Sequence, residues 1–347
     1  QPEAAEEIVQ TALERLPDDP DLLVVRATLE NRRGAAEEAE IALRQAVASD
    51  PYHKSARSRL GQLLLESDRS QEAIEVYNDL LTISPGDTEA LHTIGSITLR
   101  SNPVGALPYL EEAARLAPGR TLYLTSLGIA YVHCDRVGEA EATLRRALEI
   151  DPNNHQIGNN LGIALLRQGE YEDAIEIFET ILEEQPNHFQ ARNNLAVAFG
   201  ESGQIESAER EARKALAQKP GFVDAMLTLA AALHHQDRQV EEAEVLARAL
   251  REMPDRSDIM LRLAVARAGS GDCARAIPFF EAMLAETGLG SFPPEAHLTA
   301  GRCFEIAGST EIALRQFEEA ARLAAQGPAR DEAMEGVRRL SLKLDGE

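Results

Sequence analysis

The adjacent histidines His234 and His235, followed by Asp237, are the residues in this sequence that most resemble a metal site. Neighbouring side chains on a helix point about 100° apart, so these two imidazoles cannot both bind one ion. We therefore interpret them as the polar end of a helix. His92 and His133 have no carboxylate and nucleophile at a spacing that would predict catalysis.

The three cysteines, Cys134, Cys273 and Cys303, lie far apart in the sequence. An odd count without paired spacing argues against a disulfide-stabilised secreted domain, so we expect them to act as small apolar side chains. The sequence also contains no phosphate-binding glycine loop, zinc-ligand spacing or nucleophile elbow. It therefore predicts a protein that is not an enzyme, with no cofactor and no metal.

Composition points to a helical chain with an acidic surface. Apolar residues, mostly Ala and Leu, make up 44% of the 347 residues, and 58 acidic against 35 basic residues give a net charge of −23. This charge disfavours nucleic acid and anionic membranes as partners. No apolar run is long enough to insert into a membrane directly. We expect a cytoplasmic protein, or a periplasmic one if a leader has been removed before Gln1.

Three sets of residues recur with a period of about 34. The first is a set of prolines: Pro17, Pro51, Pro85, Pro118, Pro152, Pro186, Pro220 and Pro254. The second is a set of small residues: Ala27, Gly61, Gly95, Gly128, Gly162, Ala196, Ala230, Ala264 and Gly301. The third is a set of alanines: Ala5, Ala39, Ala73, Ala106, Ala140, Ala174, Ala208, Ala243, Ala276 and Ala313. A fixed period of this length indicates a repeat architecture.

Each period reads as two helices. In one unit, apolar residues at helical spacing fill residues 155–169, and a second such segment fills 170–185. Gly169 ends the first helix, and Pro186 blocks continuation of the second. Small residues recur where the paired helices would approach most closely.

These residues resemble the tetratricopeptide repeat (TPR) family, whose 34-residue unit is a helix–turn–helix. The matching motif residues include Leu161, Gly162, Tyr171, Ala174, Phe178 and Pro186. No Trp fills the fourth position of the motif, and the RNA-binding 35-residue helical repeats are the nearest alternative, disfavoured by acidity and by the prolines. The resemblance implies an all-α solenoid, a right-handed superhelix of antiparallel helix pairs whose concave face is lined by the first helix of each pair.

The phasing divides the chain into three parts. Residues 1–19 are the second helix of a truncated repeat, so we expect a fragment of a longer array. Residues 328–347 are a C-terminal capping helix and tail. Residues 237–242 slip by one against the alanines, and 286–296 form a longer connection, a mild hinge. Between the two ends lie repeats near 20–53, 54–87, 88–120, 121–154, 155–188, 189–222, 223–256, 257–290 and 294–327.

The family's geometry implies a partner-binding groove. It places the second, fifth, sixth, ninth, twelfth and thirteenth residues of each repeat on the concave face, where this chain has apolar rows flanked by asparagines. Ile129, Val132, Ile163 and Leu166 are the expected anchors, across residues 121–222. The rows could instead pack against neighbouring helices, or against a helix of the same chain. The groove residues are Leu99, Ile129, Val132, Asn159, Asn160, Ile163, Leu166, Arg167, Asn193, Asn194 and Val197.

The charged and polar groove residues narrow the type of ligand. Six arginines fall on groove positions, which favours an acidic partner: Arg32, Arg59, Arg100, Arg167, Arg262 and Arg302. Asn160 and Asn194 match the asparagines of the family's carboxylate clamp. However, Asn159 replaces its first Lys, and Asp224 and Thr228 stand in the next repeat. We therefore expect no tight binding of a C-terminal carboxylate.

The resemblance implies a scaffold or adaptor that holds a protein or peptide segment, as an amphipathic helix or an extended chain. The abundance of arginine over lysine favours a GC-rich bacterial genome, so we expect a role in a bacterial assembly such as secretion, pilus or motility, polarity or envelope complexes. The alternative is the substrate-recognition arm of a larger enzyme, such as a TPR-linked glycosyltransferase. The sequence leaves the oligomeric state open.

Overall fold

The computed structural model describes residues 2–287 and 292–345, and within those ranges the chain is helical, without a strand. Within each unit, the turns that the structure describes are short, so the helices they join run antiparallel. The helices are α1 (Pro2–Arg15), α2 (Pro20–Arg32), α3 (Ala36–Ser49), α4 (Lys54–Glu66), α5 (Ser70–Ile83), α6 (Thr88–Thr98), α7 (Pro103–Leu116), α8 (Thr121–His133), α9 (Val137–Ile150), α10 (His155–Gln168), α11 (Tyr171–Glu184), α12 (Phe189–Glu201), α13 (Ile205–Gln218), α14 (Val223–His235), α15 (Gln239–Glu252), α16 (Ser257–Gly269), α17 (Cys273–Thr287), α18 (Pro294–Ile306), α19 (Thr310–Leu323) and α20 (Pro328–Asp345).

Side chains at several turns cap the first turn of the helix that follows. Asp87 and Asn154 accept hydrogen bonds from backbone N–H groups of the first turns of α6 and α10. His53 and His188 do the same through Nδ1, at 3.1 Å from the amides of the residues three positions later. A capping side chain satisfies a backbone donor that the helix leaves unpaired. Two of the chain's histidines are therefore structural caps.

The recurring small residues allow the two helices of a pair to approach closely. A Cβ atom added at Gly61 would lie 2.6 Å from the ring of Tyr77, and one at Gly128 would lie 2.5 Å from Leu144 Cγ. Neither distance is possible between real carbon atoms without displacement. The recurring alanines belong to the second helix of each pair, and Ala140 and Ala174 are fully buried there. The pattern seen in the sequence is therefore a packing requirement.

The chain forms two compact units, residues 1–170 and residues 171–347, called here unit 1 and unit 2. Unit 1 contains α1 to α10, and unit 2 contains α11 to α20. In both units consecutive helices pack on one another, and first helices of neighbouring pairs also touch, as α2 touches α4 and α12 touches α14. The all-α solenoid arrangement predicted from the sequence is confirmed, while the boundaries of the individual repeats stay a prediction.

The helix α20 packs against α19 and α18 in unit 2. Ala333 and Leu340 bury almost all of their surface there, and Gly336 lies directly over the ring of Phe317. On its outer side α20 exposes Met334 and Leu342 among charged residues. It therefore covers the apolar side of the last helix pair.

Ion pairs link the second helices of successive pairs. In unit 1, Arg69 Nη1 lies 2.7 Å from Glu40 of the preceding pair, and Arg69 Nη2 lies 2.6 Å from Glu72 of its own. The residues at the same repeat positions in unit 2 are Arg238, Glu209 and Glu241, with both distances 2.7 Å. Each arginine thus ties a helix pair to its predecessor by charge-assisted hydrogen bonds.

The expectation that all three cysteines are isolated fillers is wrong for two of them. Cys273, at the start of α17, and Cys303, in α18, form a disulfide with their Cα atoms 5.0 Å apart. Thirty residues separate them in the sequence. The spacing did not reveal the pair because two helices of successive repeats bring the residues together. Cys134 is a free, half-buried thiol.

The expected slip at residues 237–242 is also wrong. The helices α14 and α15 each begin 34 residues after α12 and α13, so the period is unbroken. The buried position that the other pairs fill with alanine is here Glu242, with only 3% of its surface exposed, and Ala243 is the next residue along. The chain therefore places a carboxylate in a position that normally holds a methyl group.

Candidate partner-binding surface

The surface predicted to bind a partner is the side of each unit formed by the first helices of the pairs, called here the first-helix face. Helices α2, α4, α6, α8 and α10 form it in unit 1, and α12, α14, α16 and α18 form it in unit 2. Eight of the predicted site residues belong to unit 1 and three, Asn193, Asn194 and Val197, belong to unit 2.

The apolar residues predicted in unit 1 differ in accessibility. Ile129, Ile163 and Leu166 are half-buried on their helices, and Leu99 is half-buried at the residue that caps the end of α6. Val132 is only 7% exposed, so most of its side chain packs inside the unit. The first four side chains therefore retain apolar surface that a partner could cover, whereas Val132 offers little.

The predicted polar residues of the first-helix face also differ in exposure and in hydrogen bonding. Arg167 is exposed, whereas Asn159 and Asn160 of α10 are half-buried, and Asn160 Nδ2 is buried without a hydrogen-bond partner among the described residues. In unit 2, Asn193 is 5% exposed and its Oδ1 likewise has no partner in the described ranges. An unsatisfied buried amide group is costly, on the order of 1–3 kcal/mol.

The predicted arginines do not give this face free positive charge throughout. Arg302 Nε donates to Glu332 Oε1 of α20 at 2.6 Å. Arg32 and Arg59 line a cavity of about 190 Å³ between α2 and α4, beside the carboxylate of Glu66. The charge of Arg302 is therefore compensated within the fold, and that of the other two lies near an acid.

His92 is the residue of this face with the most evident acid–base potential. Its Nε2 lies 2.9 Å from Ser126 Oγ and 3.3 Å from Ser96 Oγ, and its ring stacks on Tyr123 with the centroids 4.8 Å apart. Burial, with a smaller contribution from the charge of Arg120, lowers the pKa of His92. No hydrogen bond of the described residues joins His92 to a carboxylate that would orient it, so its contacts are those of a packed polar side chain.

The histidine pair of α14 faces in two directions, as helix geometry requires. Nδ1 of His234 lies 3.1 Å from a carboxylate oxygen of Glu242, and His235 lies on the other side of the last turn. Among the described residues no group of three or more His, Cys, Asp or Glu side chains is arranged to hold a metal ion.

Two cavities of unit 2 were not predicted. One, of about 490 Å³, lies between α12 and α14 around Gly200, and the other, of about 250 Å³, contains Glu242 and the Cys273–Cys303 disulfide. The sequence contains a signal for the first cavity: the twelfth position of the repeats changes from Leu166 to Gly200. The second depends on Glu242, which occupies the position of the recurring alanines, whereas the sequence pattern assigned that position to Ala243.

Comparison with known proteins identifies the repeat. Sequence models described as tetratricopeptide repeat match residues 1–54, 30–95, 99–163, 154–220 and 196–257. The chain belongs to the tetratricopeptide repeat family. Among the described residues of this TPR chain, no helix combines the length and the apolarity that crossing a membrane requires.

Individual relatives of this TPR chain are distant. Tetratricopeptide repeat protein 21B of Xenopus laevis is 20% identical over 185 residues, which cover 43% of this chain and 14% of that protein. Human IFIT1, solved as a dimer with PPP-AAAA, is 17% identical with a TM-score of 0.54, over 94% of this chain and 82% of the other. PilW, described as a widely conserved type IV pilus biogenesis factor, is 19% identical with a TM-score of 0.52, over 57% of this chain and 92% of the other. At these identities the two solved structures establish the fold alone.

Proposed function

We propose that this TPR chain is a protein-binding scaffold that holds a segment of a partner protein on its first-helix face and has no catalytic activity of its own. The observation that carries the proposal is the row of half-buried Ile129, Ile163 and Leu166 in unit 1. Apolar side chains that stay partly accessible on one continuous face are typical of surfaces that bind other proteins. An open face of stacked helices also suits a polypeptide better than a small substrate.

The proposed ligand is an amphipathic helix or an extended segment with apolar side chains. Such a segment would cover the apolar row, while the amides of Asn159 and Asn160 lie beside it on α10 and offer both donors and acceptors. The net charge of −23 argues against nucleic acid as the ligand. We propose that the complex belongs to a bacterial assembly, and pilus biogenesis is one process to test because PilW shares the fold.

We also propose a cellular compartment for this chain. The sequence led us to expect a cytoplasmic location, or a periplasmic one if a leader has been removed, and the Cys273–Cys303 disulfide supports an oxidising compartment such as the periplasm. Alkylation of thiols in freshly opened cells, followed by mass spectrometry of the purified chain, tests this proposal. Modification of Cys134 alone is expected, and labelling of all three cysteines would favour the cytoplasm.

The test of the binding face begins with the capture of a protein partner from the source cells and continues with purified components. Ile163→Asp and Leu166→Asp place a charge in the apolar row, and we expect each to weaken binding by about 2 kcal/mol or more, roughly thirtyfold. Ile41→Asp is the matched control, because Ile41 is 64% exposed on α3, a second helix of its pair.

Calorimetric titration measures the affinities, and circular dichroism verifies that helical content is unchanged. If both variants bind the partner as tightly as the wild type, the first-helix face of unit 1 is not the site. The side formed by the second helices then becomes the better candidate. So does the connection at 286–296, of which residues 288–291 lie outside the described ranges.

A further inference from the structure

The first-helix face of unit 2 contains a cavity beside a glycine at a position where unit 1 carries large side chains. Gly200 stands on α12 at the repeat position where unit 1 carries Leu65, Leu99, Val132 and Leu166. The cavity of about 490 Å³ extends from Gly200 across to α14 and is lined mainly by apolar side chains, including Val197, Ile205, Leu227 and Ala231. Its volume is in the range of cavities that bind ligands.

Packing within unit 2 does not explain this glycine. A Cβ atom at Gly200 would meet nothing closer than Ala208 Cβ at 3.8 Å, which is an ordinary contact. This contrasts with Gly61 and Gly128, where an added Cβ would collide with the facing helix. Glycine is also a poor helix former, so it weakens α12 here without allowing a closer approach of helices. The structural consequence of Gly200 is therefore the open space beside it.

A second cavity, of about 250 Å³, lies on the other side of the last turn of α14. His235 lines the cavity at Gly200, and His234 lines this second one. Glu242 lines it as well, with its side chain 5% exposed and one oxygen 3.1 Å from Nδ1 of His234. Arg302 lines it too, but its charge is compensated by Glu332.

A buried carboxylate is costly unless a cation or several hydrogen bonds compensate it. Among the described residues, the carboxylate of Glu242 forms one hydrogen bond, with an imidazole that is itself 60% exposed. The cavity at Gly200 adds acidity at its rim, where Glu201 is exposed and has no ion-pair partner among the described residues. No Lys or Arg of the described ranges lines that cavity. The two neighbouring cavities therefore offer an apolar site beside an acidic one.

We propose that unit 2 binds a partner segment that places an apolar side chain in the cavity at Gly200 and a lysine or arginine at Glu242. Neighbouring packed helices lie about 8–10 Å apart, and an extended chain advances about 3.3 Å per residue. The basic residue should therefore stand about three positions from the apolar one. This inference rests on the proposed function, since it specifies which polypeptide the first-helix face recognises.

Two substitutions test the proposal while restoring the chain's own repeat pattern. Gly200→Leu fills the first cavity with the side chain that unit 1 has at the same position. Glu242→Ala removes the carboxylate and installs the alanine of the other pairs. Both changes move toward residues that this fold already accommodates, so we expect both proteins to fold. Gly138→Ala is the control, because Gly138 is exposed on α9 with open space around it.

The probes come from a phage-displayed library of random dodecapeptides selected on the whole wild-type chain. Enriched sequences are remade with acetylated and amidated ends, and their binding is measured by fluorescence polarisation. We expect enrichment of Leu, Ile or Met about three residues from Lys or Arg. Gly200→Leu and Glu242→Ala should each weaken binding at least tenfold, with Gly138→Ala unchanged. Glu242→Gln should also weaken it, because the amide keeps the shape and loses the charge.

Several results would overturn the inference. Peptides that bind both restored variants as tightly as the wild type, but lose binding to Leu166→Asp, would leave the proposed function standing and remove this site. Enriched sequences without basic residues would remove the role of Glu242. Failure to enrich any peptide would count against the proposed function and this inference together. An apolar dye, 1-anilinonaphthalene-8-sulfonate, that binds the cavity without competing with the peptides would indicate a small-molecule site instead.

Discussion

The twelfth position of the repeat separates the two units. In unit 1 it holds Asn31 in the first full repeat and large apolar side chains in the next four, at Leu65, Leu99, Val132 and Leu166. In unit 2 the same position holds glycine, histidine, alanine and glutamate, at Gly200, His234, Ala268 and Glu305. The first-helix face of unit 1 therefore carries apolar side chains where unit 2 has two cavities.

This difference shows how one repeat produces two kinds of surface. The positions between the paired helices, such as Gly128 and Ala140, are fixed by close packing, so they recur in both units. The twelfth position lies at the edge of that packing, and this chain fills it with side chains as different as those of Leu166, Gly200 and Glu305. Solenoid stability depends on contacts within and between neighbouring pairs, so variation at the edge leaves the stacking intact.

The largest expected difference between the units is in how their stability responds to reduction of the disulfide. Closing a loop of about 30 residues stabilises a protein by roughly 3–4 kcal/mol in the chain-entropy model. Dithiothreitol should therefore lower the unfolding temperature of unit 2 and leave the amide exchange of unit 1 unchanged. Hydrogen exchange followed by mass spectrometry measures both units in one sample.

A Cys273→Ala, Cys303→Ala double variant should reproduce the reduced protein and no longer respond to dithiothreitol. Equal loss of protection across both units on reduction would contradict the assignment of the effect to unit 2. So would a wild-type chain that gives the same unfolding curve with and without the reductant.

A smaller effect comes from making the same substitution at two glycines. Gly128→Leu forces a side chain into Leu144 and should destabilise unit 1 by about 1–3 kcal/mol through overpacking. Gly200→Leu should stabilise unit 2 by up to about 1 kcal/mol, because leucine is the better helix former and the space is open. Urea unfolding of the two variants measures the sign of each change in unfolding free energy. Destabilisation by Gly200→Leu would mean that the cavity is not free space.

The smallest effect is on the pH dependence of stability. Burial lowers the pKa of His92 in unit 1 below its ordinary value of 6.5, so the folded chain resists its protonation. The stability that neutral His92 contributes is complete above pH 6.5 and is lost as the pH falls through the folded pKa. His92→Gln should flatten this loss, measured as the unfolding midpoint in urea from pH 7 to pH 5.

The arginine-centred ion pairs respond at lower pH in both units. Burial raises the pKa of Glu40 and of Glu209, but hydrogen bonds from side chains that include Arg69 and Arg238 outweigh it and leave both pKa values below 4.5. The stability that these two carboxylates contribute is complete above pH 4.5 and is lost as the pH falls through the lowered pKa values.

The prediction for His92 can be contradicted separately from the ion pairs. A His92→Gln protein that still loses stability between pH 6.5 and pH 5 as the wild type does would contradict the role of His92.

The sequence predicted the fold because the repeat pattern is local. The prolines, the small residues and the alanines each mark a position whose packing is decided within one or two helix pairs. It missed the Cys273–Cys303 bond because α17 and α18 bring those residues together across a Gly/Pro-rich connection. No pairing rule connects cysteines that lie 30 residues apart in a repeat.

The candidate surface was predictable in part. The half-buried state of Ile163 and Leu166 agrees with a place on an accessible face. Val132 shows why the repeat position is insufficient: it occupies the twelfth position as Leu166 does, yet its side chain is 7% exposed. The accessibility of each position depends on the side chains of the two neighbouring helices, which the repeat pattern does not specify.

The disulfide also bears on how unit 2 would respond to mechanical load. Chain between Cys273 and Cys303 cannot be extended while the sulfurs are joined, so the segment containing most of α17 is excluded from the stretched length. Thirty residues extend to roughly 100 Å. A unit stretched from its two ends would thus release that much less chain when oxidised, and the bond would limit how far a scaffold under tension can lengthen.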